Sequence, residues 1–163
     1  MRALACLLAC LIAPGACAAL AEGDPAPDFT TQASLGGREF TFSLAKALKD
    51  GPVVVYFYPA AFTQGCTVEA HNFAEAMPRY KELGASVIGV SSDRIDVLNK
   101  FSVSECQGKF PVASDAGQSI MKAYDAVLLW KTGYASRISY VVTPDGRIAY
   151  SYSDMNPDRH VAN

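Results

Sequence analysis

The spacing of hydrophobic and polar positions changes period several times along the chain, and each change marks an element. Val53-Val-Val-Tyr-Phe-Tyr58 is an unbroken β-branched and aromatic run, the pattern of a strand covered on both faces at the centre of a sheet. Pro59 ends it. From Thr63 to Leu83 the period becomes helical, with Val68, Phe73, Ala76 and Tyr80 as inner positions, Gly84 as the stop and Pro78 as the point of a kink or break. Ala85 to Val90 reads as a second buried strand. Asp93 then reads as the cap of an amphipathic helix over 94–105 that carries Ile95, Leu98 and Phe101 inward.

Shorter signals flank this centre. Residues 22–29 are rich in Pro, Gly and Asp and predict an extended lead-in, with order beginning near Phe29. Residues 38–43 alternate as an edge strand, and 43–49 predict a short helix stopped by Asp50-Gly-Pro52. Beyond the central helices follow a strand over 110–113, a helix over 117–124, and a hairpin of 138–143 with 147–152 around Pro144-Asp-Gly146. Alternating strands and helices that end in an antiparallel pair predict one domain over 22–163, a three-layer α/β sandwich around a mixed sheet. After Asn156-Pro-Asp158 the chain reads as the first turn of another helix, so the sandwich is expected to lack its C-terminal helix.

The first residues belong to a different pattern. Met1-Arg2 precedes an uncharged Leu/Ala/Ile/Cys run from Ala3 to Ala13, broken by Pro14-Gly15. It is too short for a membrane span and reads as a cleaved secretory leader over 1–21, with cleavage after Ala18 or Ala21. Export to the periplasm or secretion follows, and lipidation through Cys10 or Cys17 is the weaker reading, because Leu7-Leu-Ala-Cys10 leaves too short an apolar run and Pro14-Gly-Ala-Cys17 lacks the usual leucine. Of the five cysteines, Cys6, Cys10 and Cys17 leave with the leader, so Cys66 and Cys106 remain. The mature chain then carries 13 basic against 16 acidic residues with no basic run, which argues against nucleic acid or an anionic membrane as partner.

Cys66 falls where Pro59-Ala-Ala-Phe-Thr-Gln-Gly-Cys66 turns from the central strand into a helix. Unpaired N–H groups and the partial positive charge at a helix N-terminus favour a thiolate there, and open α/β sheets bind ligands beyond the carboxyl ends of their strands. Thr63 lies one turn before the cysteine with a hydroxyl to offer. Pro59 has no N–H and walls one side, and Glu69 follows on the same helix face. A cysteine at such a junction is more often a small apolar residue, and its neighbours are what lift it to a candidate nucleophile.

The signature Pro59-x-x-x-Thr63-x-x-Cys66, continued by Thr67-Val-Glu-Ala70, resembles the active site of the peroxiredoxins and their bacterioferritin-comigratory, PrxQ-like branch. Gly23–Phe29, Val87–Asp93, Phe110–Asp115 and Arg137–Val141 extend the resemblance over the mature chain. It implies a thioredoxin-like fold and a thiol peroxidase that reduces hydrogen peroxide and organic hydroperoxides through a Cys66 sulfenic acid. It also implies that Arg137 completes the peroxide pocket and that no metal, flavin or nicotinamide cofactor is needed. A thioredoxin-like protein or a small thiol would be the reductant, acting on a monomer or homodimer. The branch often carries a resolving cysteine five residues after the first, where this chain has His71. Cys106 is the candidate resolving thiol, with an external thiol as the alternative.

Competing readings on the same fold class make different demands. A disulfide oxidoreductase needs a second cysteine at position 69, which is Glu. A thioredoxin-like copper chaperone or a redox-sensing module without turnover would use Cys66, Cys106 and His71. However, five residues of helix turn His71 roughly 140° away from Cys66, and a surface or packing role suits His71 better. The aromatic residues Tyr56, Phe57, Tyr58 and Phe73 are expected in the core, with Phe62 at the pocket.

Overall fold

A computed structural model describes residues 19–162, so the leader reading for residues 1–18 and the lipidation readings of Cys10 and Cys17 lie outside the described residues. The central run forms strand β3, Val53–Phe57, and every residue of it is buried. Its side chains alternate between two cores, as strand geometry requires. Val53, Val55 and Phe57 enter one apolar cluster with Leu44, Met121 and Tyr124, whereas Val54, Tyr56 and Tyr58 enter another with Phe73, Leu98 and Phe101. That division is the three-layer sandwich expected from the sequence.

Seven strands form one mixed sheet. In chain order they are β1 (Thr30–Leu35), β2 (Arg38–Ser43), β3, β4 (Ser86–Ser91), β5 (Val112–Ser114), β6 (Ile138–Val142) and β7 (Ile148–Ser153). Across the sheet the order is β2-β1-β5-β4-β3-β6-β7. The centre, β5-β4-β3, is parallel, and antiparallel pairings flank it on both sides. Strand β2 is an edge, as its alternation predicts. Strand β1 was not anticipated: Thr30–Leu35 has little pattern of its own and owes its state to pairing with β2 along its whole length.

Short helices α1 (Leu44–Ala47) and α4 (Ser119–Ala123) contribute Leu44, Ile120 and Met121 to the first core. The long helix α2 (Gln64–Glu82) and helix α3 (Ile95–Ser104) cover the other. Helix α2 runs through Pro78 without a break. Its buried face is Cys66, Glu69, Ala70, Phe73, Ala74, Ala76 and Met77, so Phe73 and Ala76 lie inward as expected, whereas Val68 and Tyr80 are only half-buried. Asp93 does not cap α3. Arg94 occupies the cap position, and the Asp93 carboxylate serves the loop before α2 instead. The helical turn after Asn156 is a 3-10 turn, Pro157–Arg159. Among the described residues no helix is long and apolar enough to cross a membrane.

Gly89 on β4 makes room for the second core. A Cβ there would meet Tyr56 Cζ and Oη at 2.7 Å, and that ring is stacked on Phe73 at 4.3 Å and on Tyr58 at 5.4 Å. Gly89→Ala is therefore expected to destabilise the fold by about 1–3 kcal/mol, the range for overpacking. A denaturant midpoint equal to wild type would show instead that the Tyr56 ring can yield.

Candidate active site

The strand-to-helix turn is built by its own backbone and by one long-range carboxylate. Phe62 adopts a left-handed φ of 63°, uncommon for a large side chain, and Thr63 at the N-cap of α2 is extended. The Asp93 carboxylate, just beyond the end of β4, accepts from the Ala61 N–H at 2.7 Å and from the Ser91 hydroxyl at 2.8 Å, which pins the loop to the sheet. Within the loop the Thr63 hydroxyl donates to the Ala60 carbonyl at 3.0 Å. The first helical bond runs from Thr67 N–H to the Thr63 carbonyl, so the N–H groups of residues 64–66 precede the hydrogen-bonded ladder and face the mouth of the turn as donors.

Cys66 is 2% exposed and Arg137 4%. One guanidinium nitrogen of Arg137, Nη2, lies 3.5 Å from Cys66 Sγ. Its Nη1 donates to Glu69 Oε2, and its Nε donates to the Met155 carbonyl at 3.2 Å. Arg137 thus uses three edges of one planar fork to join α2, the start of β6 and the C-terminal segment. Gly65 is part of the fit, since a Cβ there would stand 3.0 Å from Arg137 Nη2.

The electrostatics follow from burial. Glu69 has no exposed side-chain surface. Burial pushes its carboxyl up to about 8, against the downward pull of Arg137. For Arg137 burial acts to lower the pKa, but Glu69 and Cys66 more than offset it, so the net shift is upward and the guanidinium stays charged. Behind Glu69 sits His160, whose Nδ1 is 3.7 Å from Glu69 Oε1 and 2.8 Å from the Ser139 hydroxyl. Burial lowers the His160 pKa and Arg137 adds to the effect, outweighing the Asp154 carbonyl that favours the charged form.

The structure brings Cys66, Glu69 and Arg137 into direct contact and places Thr63 and Pro59 in the turn beside them. His160 and Asp93 were missed by sequence reasoning. The signal for Asp93 was present in Ser91-Ser-Asp93 after a buried strand, where a short polar cluster can tie down a neighbouring loop. His160 is 91 positions from Glu69, and no local pattern announces that contact.

Cys106 lies just past α3, fully buried in the same apolar cluster as Cys66. Burial pushes its thiol well up, and Glu105 adds to the shift. Both cysteines are free. Helix-end bonds hold this region, with Cys106 N–H donating to the Phe101 carbonyl and Gly108 N–H to the Ser102 carbonyl. His71, half-exposed, pairs through Nε2 with Glu105 at 3.0 Å, so α2 is clasped to the end of α3 one residue before Cys106. Among the described residues no cluster of three metal-ligating side chains exists. Phe62 is 49% exposed and stacks edge-on against Phe101 at 5.3 Å.

Comparison with known proteins adds an independent line. The model of the AhpC/TSA family matches residues 22–151. Peroxiredoxin Q, chloroplastic, of Oryza sativa subsp. japonica is 34% identical over 146 residues, covering 89% of this chain, and the chain spans 65% of the rice protein's length. Peroxiredoxin Bcp of Escherichia coli is 32% identical over 113 residues, covering 66% of this chain and 72% of that protein. The crystal structure of peroxidoxin BcpB from Mycobacterium tuberculosis superposes with a TM-score of 0.78 at 30% identity, covering 86% of this chain and 91% of that one.

The Glu69 carboxyl gives stability a pH dependence of definite sign. Its folded value is raised, so between about pH 4.5 and 8 the native state holds a proton that the unfolded chain has released. Its contribution to stability is complete below that window and is lost as the pH rises through it. Denaturant melts of wild type and Glu69→Gln at pH 5 and pH 8 should show wild type losing ground to the variant at the higher pH. A constant difference would mean that Glu69 is ionised throughout.

Proposed function

The chain belongs to the AhpC/TSA family of peroxiredoxins, and from that premise we propose that it reduces hydroperoxides with Cys66 as the peroxidatic residue. The observation that carries the reading is the Arg137 guanidinium at 3.5 Å from a sulfur placed in the first turn of a helix. In the proposed step the Cys66 thiolate attacks the nearer oxygen of the peroxide along the O–O axis. The S–O bond forms as the O–O bond breaks, and the departing oxygen leaves with the bonding pair and takes a proton as water or an alcohol. Arg137 and the free N–H groups of the turn stabilise that developing charge, and Thr63 and Pro59 shape the walls.

The resulting sulfenic acid is returned to the thiol by a reductant. We assign Cys106 as the resolving partner, reached by local unwinding of α2's first turn and of the end of α3. Membership of both thiols in one apolar cluster supports the assignment, while the burial of Cys106 means that release must precede bond formation. Export completes the reading. Ala19 and Leu20 pack against the core on the α1 and α4 side, which favours leader cleavage after Ala18 over cleavage after Ala21. A mature mass beginning at Ala19 in the exported fraction is expected, and a product that keeps Met1 would remove the export reading.

The deciding experiment is mass spectrometry after one equivalent of peroxide with dimedone present, on wild type and Cys106→Ser. Wild type should lose two hydrogens as a Cys66–Cys106 disulfide, and Cys106→Ser should carry dimedone on Cys66. Dimedone on Cys66 in both would make resolution external, and an unmodified Cys66 in both would defeat the peroxidase reading. Under the same treatment Arg137→Lys should oxidise about 10²-fold more slowly, the scale for losing one preorganised donor, because an ammonium cannot reach Cys66, Glu69 and the Met155 carbonyl together.

A further inference from the structure

Peroxide reduction as described uses Arg137 and leaves unexplained the buried polar groups stacked behind it. Glu69 Oε1 is fully buried and has no hydrogen-bond partner, an arrangement that folded proteins rarely tolerate. The polar atom facing it is His160 Nδ1 at 3.7 Å, and neither side chain has any exposed surface. The histidine's tautomer is fixed by its other nitrogen. Nε2 lies 2.7 Å from the Asp154 carbonyl, which can only accept, so Nε2 carries a hydrogen and Nδ1 presents a lone pair when the ring is neutral. Ser139 meets that same nitrogen at 2.8 Å. Hydroxyl and carboxylate therefore compete for one ring nitrogen, unlike a hydrolytic triad, where they occupy opposite ones.

Charge balance sharpens the problem. Arg137 supplies one positive charge and faces two groups that can be anions, Glu69 and the Cys66 thiolate. With both ionised and His160 neutral, the buried set would carry a net negative charge, and two lone pairs would face each other across Oε1 and Nδ1. We propose that Glu69 and His160 share one proton between Oε1 and Nδ1, so that the pair is neutral as a unit and the charge of Arg137 is reserved for the Cys66 thiolate. His160 is then a positioning residue: it touches neither sulfur nor peroxide and acts through Glu69 and Arg137. The raised carboxyl and the lowered imidazole agree with a proton held on the carboxylate side of the pair.

The titratable and charged groups around the ring come from every neighbouring element. They are Glu69, Arg79 and Tyr80 on α2, Arg137 at the start of β6, Tyr150 and Tyr152 on β7, and Asp154 beyond it. Of these, Glu69 has a proton-accepting atom left without a partner. The segment 154–160 completes the arrangement, since its carbonyls at 154 and 155 hold His160 and Arg137 in turn.

The inference rests on the peroxidase reading, and two measurements on the full chain separate their fates. The protein has two histidines, so ¹⁵N-histidine NMR, with His71→Gln for assignment, reads His160 directly. Its Nε2 should stay protonated through neutral pH while its Nδ1 signal moves with the Glu69 titration, and that movement should vanish in Glu69→Gln. In kinetics, His160→Gln keeps a donor for the Asp154 carbonyl but removes Nδ1. It should slow Cys66 oxidation by hydrogen peroxide about tenfold, the low end of the range for losing a group that orients a reacting one, and should add nothing to Glu69→Gln in the double variant. An Nδ1 signal indifferent to Glu69→Gln, or variant effects that multiply, would overturn the shared proton. A wild-type Cys66 inert to peroxide would defeat the parent reading, while the NMR would still decide the proton.

Discussion

Among the described residues one buried arginine with two claimants organises the pocket around Cys66. Arg137 reaches the sulfur of Cys66 with one nitrogen, the carboxyl of Glu69 with a second and the Met155 carbonyl with the third. Each contact lies where water is excluded, so each is stronger than at a surface and each would be costly to leave unmet. Cys66 and Glu69 sit three residues apart on one helix face, and the guanidinium spans them because its donors are fixed in a plane. A lysine in this place would satisfy one of these partners and abandon the other.

The sheet exists, functionally, to bring that cation to that helix. Strand β3 ends at the turn carrying Cys66, and β6, paired antiparallel with it, begins beside that end, where Phe57 faces Ile138. Arg137 therefore arrives next to the helix N-terminus through strand register alone. Asp93, just past β4 on the other side of β3, anchors the turn through Ala61. Two neighbouring strands thus hold the site from opposite flanks, and the apolar packing of Tyr56, Phe73 and Phe110 beneath α2 keeps the helix from shifting.

How much of this could be read from sequence depended on whether a feature was local. Val53 to Phe57 announced itself because burial on both faces leaves no polar position to blur the pattern. Cys66 and Glu69 were singled out by the short signature at the end of that strand, and Arg137 only by the family resemblance. Thr30 to Leu35 was missed because its strand state is conferred by β2 and β5, and Val68 was misplaced because the inner stripe of α2 follows Cys66 and Ala70 rather than the larger residue between them. Asp93 was read as a helix cap, a local role, while its carboxylate is taken by a loop more than thirty positions earlier. His160 lay beyond any local reading, since its meaning comes entirely from the fold that brings it under Glu69.

The segment from Asp154 to His160 ties the active centre to the end of the chain. Its carbonyls fix Arg137 and His160, Asp158 accepts from Asn72 on α2, and Pro157 lies against Gly65. Cys66 is made early in synthesis, and the groups that enclose it, Arg137 and the 154–160 segment, are made later. Until that segment has docked, the Arg137 fork lacks the Met155 carbonyl that holds it beside the Cys66 sulfur. The order of synthesis therefore sets the order of assembly: the pocket around Cys66 closes only together with the finished fold, and a chain still being made or refolded leaves that sulfur open.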